Sequence, residues 1–516
     1  MTPFANMTYQ DFKNPEVAKK QFNALKKVRA AFGTEYPNII GGKEVYSKNK
    51  TISINPANTD EVVGIFQKSG QPDAEKAMNS ALTAFESWKK VPAKVRANYF
   101  LKAAQEMKKR RNEINAWMIS EVGKNYLEAD ADTCEAIDFL EFYAREIIRY
   151  SQKQGLTPFK GEKNEYFYIP LGVGVVIPPW NFPFAILCGM STAAMVAGNT
   201  VVLKPSSESP MMGWLFADIM KKVGLPDGVL NFLVASGAET GDYLVTHPKT
   251  RFISFTGSME VGLRINELAA KMVPGQIWIK RVVAEMGGKD AIIVDSEADV
   301  DAAVQGTVTA AFGFQGQKCS ACSRVIVDKA VYSEFVKKLK AEVDKIKVGN
   351  PVDNYAAGPV VSAKAEEGIL KYIEIGNKEG KLLCGGEKVK DLNGYYIQPT
   401  VIADVKPDAR IAQEEIFGPV LAVIKSKDFE DSMKIANSTM YGLTGAIFSK
   451  NPEKLERARR EFHVGNLYLN RKCTGALVDV QPFGGFNMSG TDSKAGSRDY
   501  MLLFMQGKSV SEKIIK

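Results

Sequence analysis

Three residues whose side chains could take part in catalysis lie next to glycines or prolines that indicate a turn of the backbone. Cys319 lies in GFQGQKCSACSRVIV (313–327), where glycines precede a β-rich run, so its thiol is predicted on a tight loop between a helix and a strand. Glu285 comes just before a Gly-Gly pair and is predicted at a strand end, and Asn181 stands in PPWNFP. Thiols, carboxylates and amides serve nucleophilic attack, proton transfer and oxyanion stabilisation.

Each of these residues also has an ordinary structural interpretation. Cysteine is often a small buried residue, a lone carboxylate often caps a helix, and an asparagine between prolines often closes an Asx-turn. The spacing of Cys319 and Cys322 also permits a redox or metal-binding C-x-x-C pair. Zinc is disfavoured because no second pair or nearby histidine accompanies them, and we predict no metal site.

Histidine content and charge argue against several classes of protein. His247 and His463 are the only histidines, so a Ser-His-Asp hydrolase or a histidine-rich zinc site cannot readily be assembled, and both are predicted to be structural. The net charge of +8 comes from 67 basic and 59 acidic residues. Blocks of basic residues interleaved with aromatics are missing, which disfavours nucleic-acid binding.

Cysteine usage and apolar runs bear on where the protein works. Six scattered cysteines in 516 residues are too few for a disulfide scaffold and suggest a reducing compartment. The first twenty residues lack the apolar region of a secretory signal, so we expect a cytoplasmic protein. The stretch 166–203 carries no charged residue, but prolines and a Gly-Asn-Thr turn interrupt it, and no membrane span is predicted.

The middle of the chain alternates β-rich runs with helical stretches. The predicted strands cover 173–179, 199–206, 229–235 and 251–258, and the predicted helices cover 183–198, 214–224 and 260–272. A second alternating block begins at 282–294 and runs to about residue 470. This rhythm predicts two doubly wound α/β sheets with a cleft between them and ligands at the carboxyl ends of the strands. Residues 150–170 interrupt the first block and are predicted to form an extruded hairpin.

Taken together, these motifs resemble the aldehyde dehydrogenase superfamily over essentially the whole chain. The matching motifs, in the order of that family, are PWNFP (179–183), VVLKPS (201–206), FTGS (255–258), EMGGKD (285–290), GQKCSA (316–321), EEIFGP (414–419) and PFGGF (482–486). The resemblance implies an α/β fold of two doubly wound Rossmann-like domains and a small β flap for oligomerisation. It implies an NAD(P)-binding domain at 1–149 and 171–286, a catalytic domain at 287–490, and an oligomerisation hairpin and C-terminal strand at 150–170 and 491–516.

The resemblance also implies roles for single residues in the NAD(P)-dependent oxidation of an aldehyde to an acid. Cys319 would be the nucleophile, Glu285 the general base and Asn181 the side-chain half of an oxyanion hole. The implied cofactor-binding residues are Pro179, Trp180, Lys204, Ser206, Ser207, Gly257, Ser258, Glu415 and Phe417. NAD-specific relatives often carry glutamate at the position of Ser207. Serine would not repel a 2′-phosphate, so NADP is expected to be usable beside NAD.

A narrower resemblance concerns the substrate. The segments 313–324 and 461–496, together with 128–145, resemble the 1-pyrroline-5-carboxylate dehydrogenase subfamily, which oxidises L-glutamate γ-semialdehyde to L-glutamate in proline and arginine catabolism. Ser320, Gly475 and Ala476 would then hold the α-carboxylate and α-amino groups. Phe483 would pack on the aliphatic chain, and Glu135 would line the path of the aldehyde.

Other functions stay open at this point. The same fold would serve another polar aldehyde, such as succinate semialdehyde or a betaine aldehyde. A non-catalytic protein that reuses the fold is disfavoured because Cys319 and Glu285 are both present. A thiol-redox protein using Cys319 and Cys322 is a more remote alternative. The apolar, β-prone segment 502–514 predicts a homodimer or a multiple of dimers, since an unpaired edge strand is a liability.

Overall fold

The computed structural model describes residues 2–515. Its α-helices are α1 (Pro15–Arg29), α2 (Gln71–Trp88), α3 (Ala93–Lys109), α4 (Arg111–Val122), α5 (Tyr126–Tyr150), α6 (Ala185–Val196), α7 (Pro210–Lys222), α8 (Asp242–Thr246), α9 (Met259–Ala270), α10 (Val300–Phe312), α11 (Tyr332–Val343), α12 (Ala363–Glu379), α13 (Arg410–Gln413), α14 (Phe429–Ala436) and α15 (Pro452–Glu461). Its strands are β1 (Glu35–Tyr36), β2 (Asn38–Ile40), β3 (Lys43–Val45), β4 (Lys50–Ile54), β5 (Val62–Gln67), β6 (Glu162–Pro170), β7 (Val173–Ile177), β8 (Thr200–Leu203), β9 (Leu230–Phe232), β10 (Phe252–Thr256), β11 (Arg281–Glu285), β12 (Ala291–Val294), β13 (Arg324–Asp328), β14 (Lys381–Cys384), β15 (Thr400–Ala403), β16 (Val420–Ser426), β17 (Tyr441–Gly442), β18 (Thr444–Phe448), β19 (Asn466–Leu469), β20 (Phe486–Asn487) and β21 (Met505–Lys513).

The first large sheet has the strand order β11-β10-β7-β8-β9-β2-β3. The five strands from β11 to β9 are parallel, and β2 and β3 continue the edge in antiparallel pairing. Every residue of β8 is buried, as expected for a parallel strand covered on both faces by helices. The predicted alternation of strands and helices in this part of the chain is confirmed, with ends that differ by a few residues.

The second large sheet has the strand order β14-β15-β16-β13-β12-β18-β19. Its strands are parallel except for the edge pair β14–β15, which is antiparallel. Helix α10 precedes β13 in the chain, and the short segment between them carries Cys319. Two doubly wound sheets, as predicted, thus provide strand ends and connecting loops for a site. The exact domain boundaries stay a prediction.

The segment 150–170 differs from the predicted hairpin. Only β6 forms there, and it pairs antiparallel with the distant β21, from Met505 opposite Pro170 to Lys513 opposite Glu162. The hairpin itself is reduced to one bridge between Gln154 and Tyr166. Strand β21 pairs with one edge of β6 along its full length, and local sequence does not reveal this partner. Strand β21 also begins later than predicted, because residues 500–504 form a buried 3₁₀ turn.

The long helix α5 connects the N-terminal part of the chain to the site. The side chain of Asn125 caps its first turn by accepting a hydrogen bond from the Glu128 N–H, and its apolar face packs against α3 and α6. Its central residues are buried in the largest core of the protein. The charge-free stretch 166–203 lies in this region as part of β6, β7, α6 and β8. Within residues 2–515, no helix is long and apolar enough to cross a membrane.

Candidate active site

The segment that carries Cys319 is shaped by unusual backbone geometry. After α10 ends at Phe312, Phe314 and Gln315 take positive φ angles of 50° and 55°. Gly316 follows with φ 64°, at a position where an added Cβ would press on the carbonyl of Gly418. The chain therefore turns sharply just before Cys319, as expected for a residue presented from a loop rather than from a helix.

Cys319 is half-buried, and its thiol opens onto a cavity. Burial raises the pKa of the thiol well above its usual range, and the nearby carboxylates of Asp290, Glu415 and Glu285 raise it further, while the Ser320 N–H lowers it. The backbone N–H of Cys319 donates to no group among the residues that the structure describes. Thus a nucleophile that must lose a proton stands beside a free hydrogen-bond donor.

Glu285 ends β11, where it lies beside Thr256 of β10. Its carboxylate accepts hydrogen bonds from the hydroxyl of Ser493 and, at 3.2 Å, from the backbone N–H of Gly485. Burial raises the pKa of this carboxyl to about 8, and the two hydrogen bonds oppose that rise. A carboxyl group that titrates near pH 8 is suited to general base catalysis at neutral to mildly alkaline pH.

Asn181 follows β7 in the turn that leads into α6, and its side chain is 3% exposed. In the described part of the chain, its amide makes no hydrogen bond to protein, although buried amides are normally paired. The next residue, Phe182, lines the same cavity as Cys319. The amide is therefore placed near the cavity with its donor uncommitted.

A cavity of about 120 Å³ brings most of the predicted catalytic and substrate residues together. The lining consists of Glu135, Phe139, Phe182, Ile186, Gly189, Met190, Thr256, Glu285, Met286, Cys319, Ser320, Gly475, Ala476, Phe483, Ala495 and Tyr500. Thiol and base lie in one enclosed space with apolar and aromatic walls. The cofactor residues predicted from the sequence lie outside this lining, along the strand ends of the first sheet and on the loop before β16.

The Gly475–Ala476 segment lies on the cavity wall, and we call residues 473–476 the anchor loop. Gly475 has φ 83°, a conformation that glycine adopts without strain. The N–H groups of Gly475 and Ala476 have no acceptor within residues 2–515. Ser320 is buried beside this loop, and its carbonyl accepts a hydrogen bond from the Cys473 thiol. Two adjacent free N–H groups in such a turn can bind a carboxylate.

The other two predicted substrate residues also line the cavity. Phe483 is fixed by a reciprocal pair of backbone hydrogen bonds with Ala495. Glu135, on α5, has no hydrogen-bond partner among the described residues, and burial raises the pKa of its carboxyl to about 8, with Asp132 adding to the rise. Phe483 thus supplies a rigid apolar wall and Glu135 an uncommitted polar group.

Lys204 directly follows β8, outside the cavity, and its buried ammonium lacks the partners that such a group normally has. Its side chain is 5% exposed, yet its only hydrogen bond is a long one, 3.4 Å, to the carbonyl of Pro205. Burial lowers the pKa of this ammonium to about 8. Burying an ammonium without an anion or several acceptors costs free energy. The position therefore fits a residue that donates hydrogen bonds to the hydroxyl groups of a ligand.

The predicted pyrophosphate site lies at the start of α9. Gly257 and Ser258 follow β10, and the Ser258 hydroxyl caps the helix by accepting a hydrogen bond from the Val261 N–H. Helix N-termini of this kind bind phosphate groups through free N–H groups. Further along the chain, one oxygen of Glu415 accepts the Gly288 N–H at 3.0 Å, and burial raises the pKa of that carboxyl to about 7.

The remaining predicted cofactor residues occupy two turns. Trp180 follows the half-buried Pro179, and its indole ring packs edge-on against Phe417 with the ring centres 5.5 Å apart. Ser206 is half-buried and accepts the Glu208 N–H, whereas Ser207 is exposed. Together with Lys204, Gly257 and Glu415, these residues form a set that fits a dinucleotide. An exposed serine leaves space for an extra phosphate.

Several residues that hold the candidate catalytic residues in place were not predicted from the sequence. Ser493 and Gly485 hold Glu285, and the ion pair of Lys318 with Glu128, at 2.7 Å, ties the residue before Cys319 to α5. The only sequence signal for the first two was the glycine-rich segment around them, which indicates close backbone packing but not its target.

A second supporting pair is fully buried. Lys124 and Asp132 form an ion pair at 2.8 Å, and Asp132 also accepts the Ala185 N–H at the start of α6. The Lys124 ammonium lies 4.1 Å from the ring centre of Phe182, the residue after Asn181. This pair therefore fixes the turn that carries the predicted oxyanion donor. In the described chain, no group of three or more His, Cys, Asp or Glu side chains is placed to hold a metal ion.

Comparison with known proteins identifies the family. Residues 45–510 match the aldehyde dehydrogenase family. The chain belongs to the aldehyde dehydrogenase family. It is 55% identical over 512 residues, 99% of each chain, to a 1-pyrroline-5-carboxylate dehydrogenase of Geobacillus sp. (strain WCH70). It is 52% identical over 510 residues, again 99% of each chain, to the protein of that name from Bacillus subtilis (strain 168).

A solved structure extends this similarity to three dimensions. The crystal structure of a 1-pyrroline-5-carboxylate dehydrogenase from Thermus with bound NAD is 50% identical, covers 100% of both chains and superposes with a TM-score of 0.99. The predicted fold class, the predicted aldehyde dehydrogenase family and the narrower resemblance to the 1-pyrroline-5-carboxylate dehydrogenases are confirmed. The roles of single residues stay predictions.

Proposed function

We propose that this aldehyde dehydrogenase oxidises L-glutamate γ-semialdehyde to L-glutamate, with NAD as its cofactor. One observation carries the proposal: a single cavity holds the thiol of Cys319 and the carboxyl of Glu285 together with the free N–H groups of Gly475 and Ala476. Such a cavity has a reactive part and a part suited to a carboxylate. L-glutamate γ-semialdehyde carries an aldehyde at one end and a carboxylate at the other.

The reactive part supports covalent catalysis. After Cys319 loses its proton, its sulfur forms a bond to the aldehyde carbon, and the carbonyl oxygen becomes an alkoxide. The amide of Asn181 and the N–H of Cys319 are uncommitted donors for that oxygen. Donors of this kind contribute about 3 kcal/mol each in comparable oxyanion holes. The product of this addition is a thiohemiacetal on Cys319.

NAD, when bound, would supply the acceptor for the hydride that the thiohemiacetal carbon must lose. Lys204, Glu415 and the start of α9 are the groups that would hold it, since each has an unused donor or acceptor in this structure. The loss of hydride leaves a thioester on Cys319. NADP is expected to be usable beside NAD, because Ser207 is exposed and carries no charge against a 2′-phosphate.

Glu285 completes the cycle as a general base. Its carboxylate takes a proton from water, the resulting hydroxide attacks the thioester carbon, and the bond to Cys319 breaks to release the acid. The hydrogen bonds from Ser493 and Gly485 hold the carboxylate at the cavity wall. The same carboxylate lines the cavity with Cys319 and can take the thiol proton in the first step, after which it must pass that proton to solvent before it deprotonates water.

The exposed strands and the free cysteines bear on quaternary structure and location. Strands β6 and β21 form a separate two-stranded sheet, in which β21 is largely exposed. An exposed pair of strands of this kind favours a homodimer or a multiple of dimers, which light scattering at micromolar protein would detect. Six cysteines without disulfides favour the cytoplasm, which cell fractionation would test.

A substrate panel tests the proposed function. Initial rates of NADH formation, followed at 340 nm, should give the highest kcat/KM for L-glutamate γ-semialdehyde in equilibrium with its cyclic imine. Propanal and hexanal lack the distal carboxylate and should be poorer by about tenfold or more, because the anchor N–H groups stay unpaired. A clear preference for succinate semialdehyde or betaine aldehyde would reject the substrate and leave only the family.

A further inference from the structure

Two cations follow β19 and stand beside the anchor loop. A Cβ built on Gly475 would lie 3.6 Å from Cε and 3.8 Å from Nζ of Lys472, and 3.9 Å from a guanidinium nitrogen of Arg471. Neither residue lines the cavity, but both lie next to Gly475, which lines it and whose N–H group, like that of Ala476, is free within residues 2–515. The two cations differ in how they are used.

Arg471 is committed to the shape of the loop. Its guanidinium donates to the carbonyls of Thr474 at 3.1 Å and Gly475 at 3.3 Å, and it lies 4.5 Å from the ring centre of Tyr468. These contacts turn the carbonyls of the loop toward Arg471. Because the Thr474 and Gly475 carbonyls are held in this way, the N–H groups of Gly475 and Ala476 are left for another acceptor.

Lys472, in contrast, is uncommitted. Its half-buried ammonium has no carboxylate partner and no hydrogen bond among residues 2–515. Glu128, the acid whose charge acts on Lys472, is already paired with Lys318 at 2.7 Å. Burial lowers the pKa of Lys472, Lys318 lowers it further, and Glu128 and Cys473 oppose the change. A half-buried cation next to another cation is unfavourable unless an anion arrives.

We infer that Lys472 is a specificity-determining residue, whose positive charge draws the α-carboxylate of the substrate into the anchor loop. The inference rests on the proposed function, since it needs a substrate with a carboxylate remote from its aldehyde. The backbone N–H groups of Gly475 and Ala476 make the direct contacts, and Lys472 supplies the field behind them. Buried carboxyl groups cluster instead around Cys319, so the charge of the site favours one orientation of the substrate.

Paired aldehydes isolate the carboxylate from every other feature of the substrate. The compounds 5-oxopentanoate and pentanal have the same chain length and the same aldehyde, and only the former carries the distal carboxylate. Lys472→Met keeps the length of the side chain and removes its charge. It should lower kcat/KM for 5-oxopentanoate by about tenfold, through KM, and leave pentanal within about twofold. Lys472→Arg should keep most of the preference for 5-oxopentanoate.

Lys378→Met is the matched control. Lys378 is exposed on α12, which packs on β14 and β15 at the opposite edge of the sheet from β19, and it makes no ion pair in the described chain. The same loss of one positive charge there should change neither substrate. The thermal midpoint of Lys472→Met should equal or exceed that of the wild type, because an unpaired half-buried charge is removed, whereas a merely structural lysine would give a lower midpoint.

Two outcomes would overturn the inference. One is an equal loss for 5-oxopentanoate and pentanal in Lys472→Met, which would place the effect on folding or chemistry. The other is a result on the salt dependence of the wild type, which does not depend on whether a variant folds. Raising the ionic strength should lower kcat/KM for 5-oxopentanoate but not for pentanal, and equal salt dependence would contradict a charge effect. The ranking of L-glutamate γ-semialdehyde in the substrate panel is a separate result, so failure of the proposed function is distinguishable.

Discussion

The two parts of the cavity differ in the groups that they use and in how those groups are held. Around Cys319, the carboxyl groups of Glu285, Glu415 and Asp290 all have pKa values raised by burial. At the anchor loop, the available groups are backbone N–H donors with cations behind them. The reactive part is thus built from groups that exchange protons. The anchoring part is built from groups that keep their protons and bind a negative charge.

This difference predicts that mutations will separate by kinetic parameter. Changes around Cys319 should act on the rate of a chemical step for every aldehyde. Changes at the anchor loop should act on KM, and only for aldehydes with a distal carboxylate. A change at Ser207 should act on neither, but on the choice between NAD and NADP.

The largest expected effect is at the nucleophile. Cys319→Ala should lower kcat by more than about 10³-fold for every aldehyde, because no covalent intermediate can form. NAD binding, measured by fluorescence quenching or calorimetry, should be nearly unchanged. Cys322→Ala is the control, since Cys322 is 1% exposed and its thiol bonds to the Arg324 carbonyl. Substantial turnover in Cys319→Ala would move the chemistry to another group.

The next effect concerns the base. Glu285→Gln should slow thioester hydrolysis by about 10²-fold or more and leave hydride transfer faster, which would appear as a burst of NADH before a slow steady state. Burial raises the pKa of Glu285 to about 8, so the carboxyl is protonated below that pH and its basic form increases as pH rises through it. Hydrolysis in the wild type should therefore rise with pH and level off above about pH 8.

In the variant, that pH dependence should disappear, because glutamine does not titrate. Single-turnover measurements with stopped-flow absorbance separate the two phases. Equal loss of the burst and the steady state would mean that Glu285 serves mainly to hold the segment around Ser493.

A smaller effect is expected at the anchor loop. Gly475→Val should raise KM for L-glutamate γ-semialdehyde by about tenfold to a hundredfold, because the positive φ of 83° strains a β-branched residue, and its side chain would press on Lys472 and Arg471 and shift the anchor loop. Propanal should show little change, since it does not reach this part of the cavity. A rise of the same size for both aldehydes would mean that the substitution disturbs the whole site.

The smallest effect is on cofactor choice. Ser207→Glu should lower kcat/KM for NADP by about fivefold while NAD is nearly unaffected, because the new charge opposes the 2′-phosphate at an exposed position. Initial rates with both cofactors at saturating aldehyde provide the ratio. An unchanged ratio would remove Ser207 from cofactor selection.

Local sequence predicted the features that local geometry determines. The alternation of strands and helices, the position of Glu285 at the end of β11 and the loop that presents Cys319 all follow from patterns within about twenty residues of each site. The motifs added the identity of the family. Since the motifs are short, they were accurate for the residues that lie inside them.

Features that depend on distant contacts were not predictable in the same way. Strand β6 pairs with β21, more than 300 residues away in the sequence, and local sequence did not indicate this pairing. The bond from Ser493 to Glu285 and the ion pair of Lys318 with Glu128 also join distant segments. Lys472 has no local signal, because an unpaired lysine can be recognised only when its surroundings are known.

The two parts of the cavity are proposed to bind the two ends of one substrate: the part around Cys319 binds the aldehyde, and the anchor loop binds the α-carboxylate. A crystal structure of the protein with its product L-glutamate tests this most directly. We predict that the side-chain carboxylate lies against Cys319 and the Asn181 amide, and that the α-carboxylate accepts hydrogen bonds from the N–H groups of Gly475 and Ala476. Glutamate bound in the reverse orientation, or outside this cavity, would contradict the account.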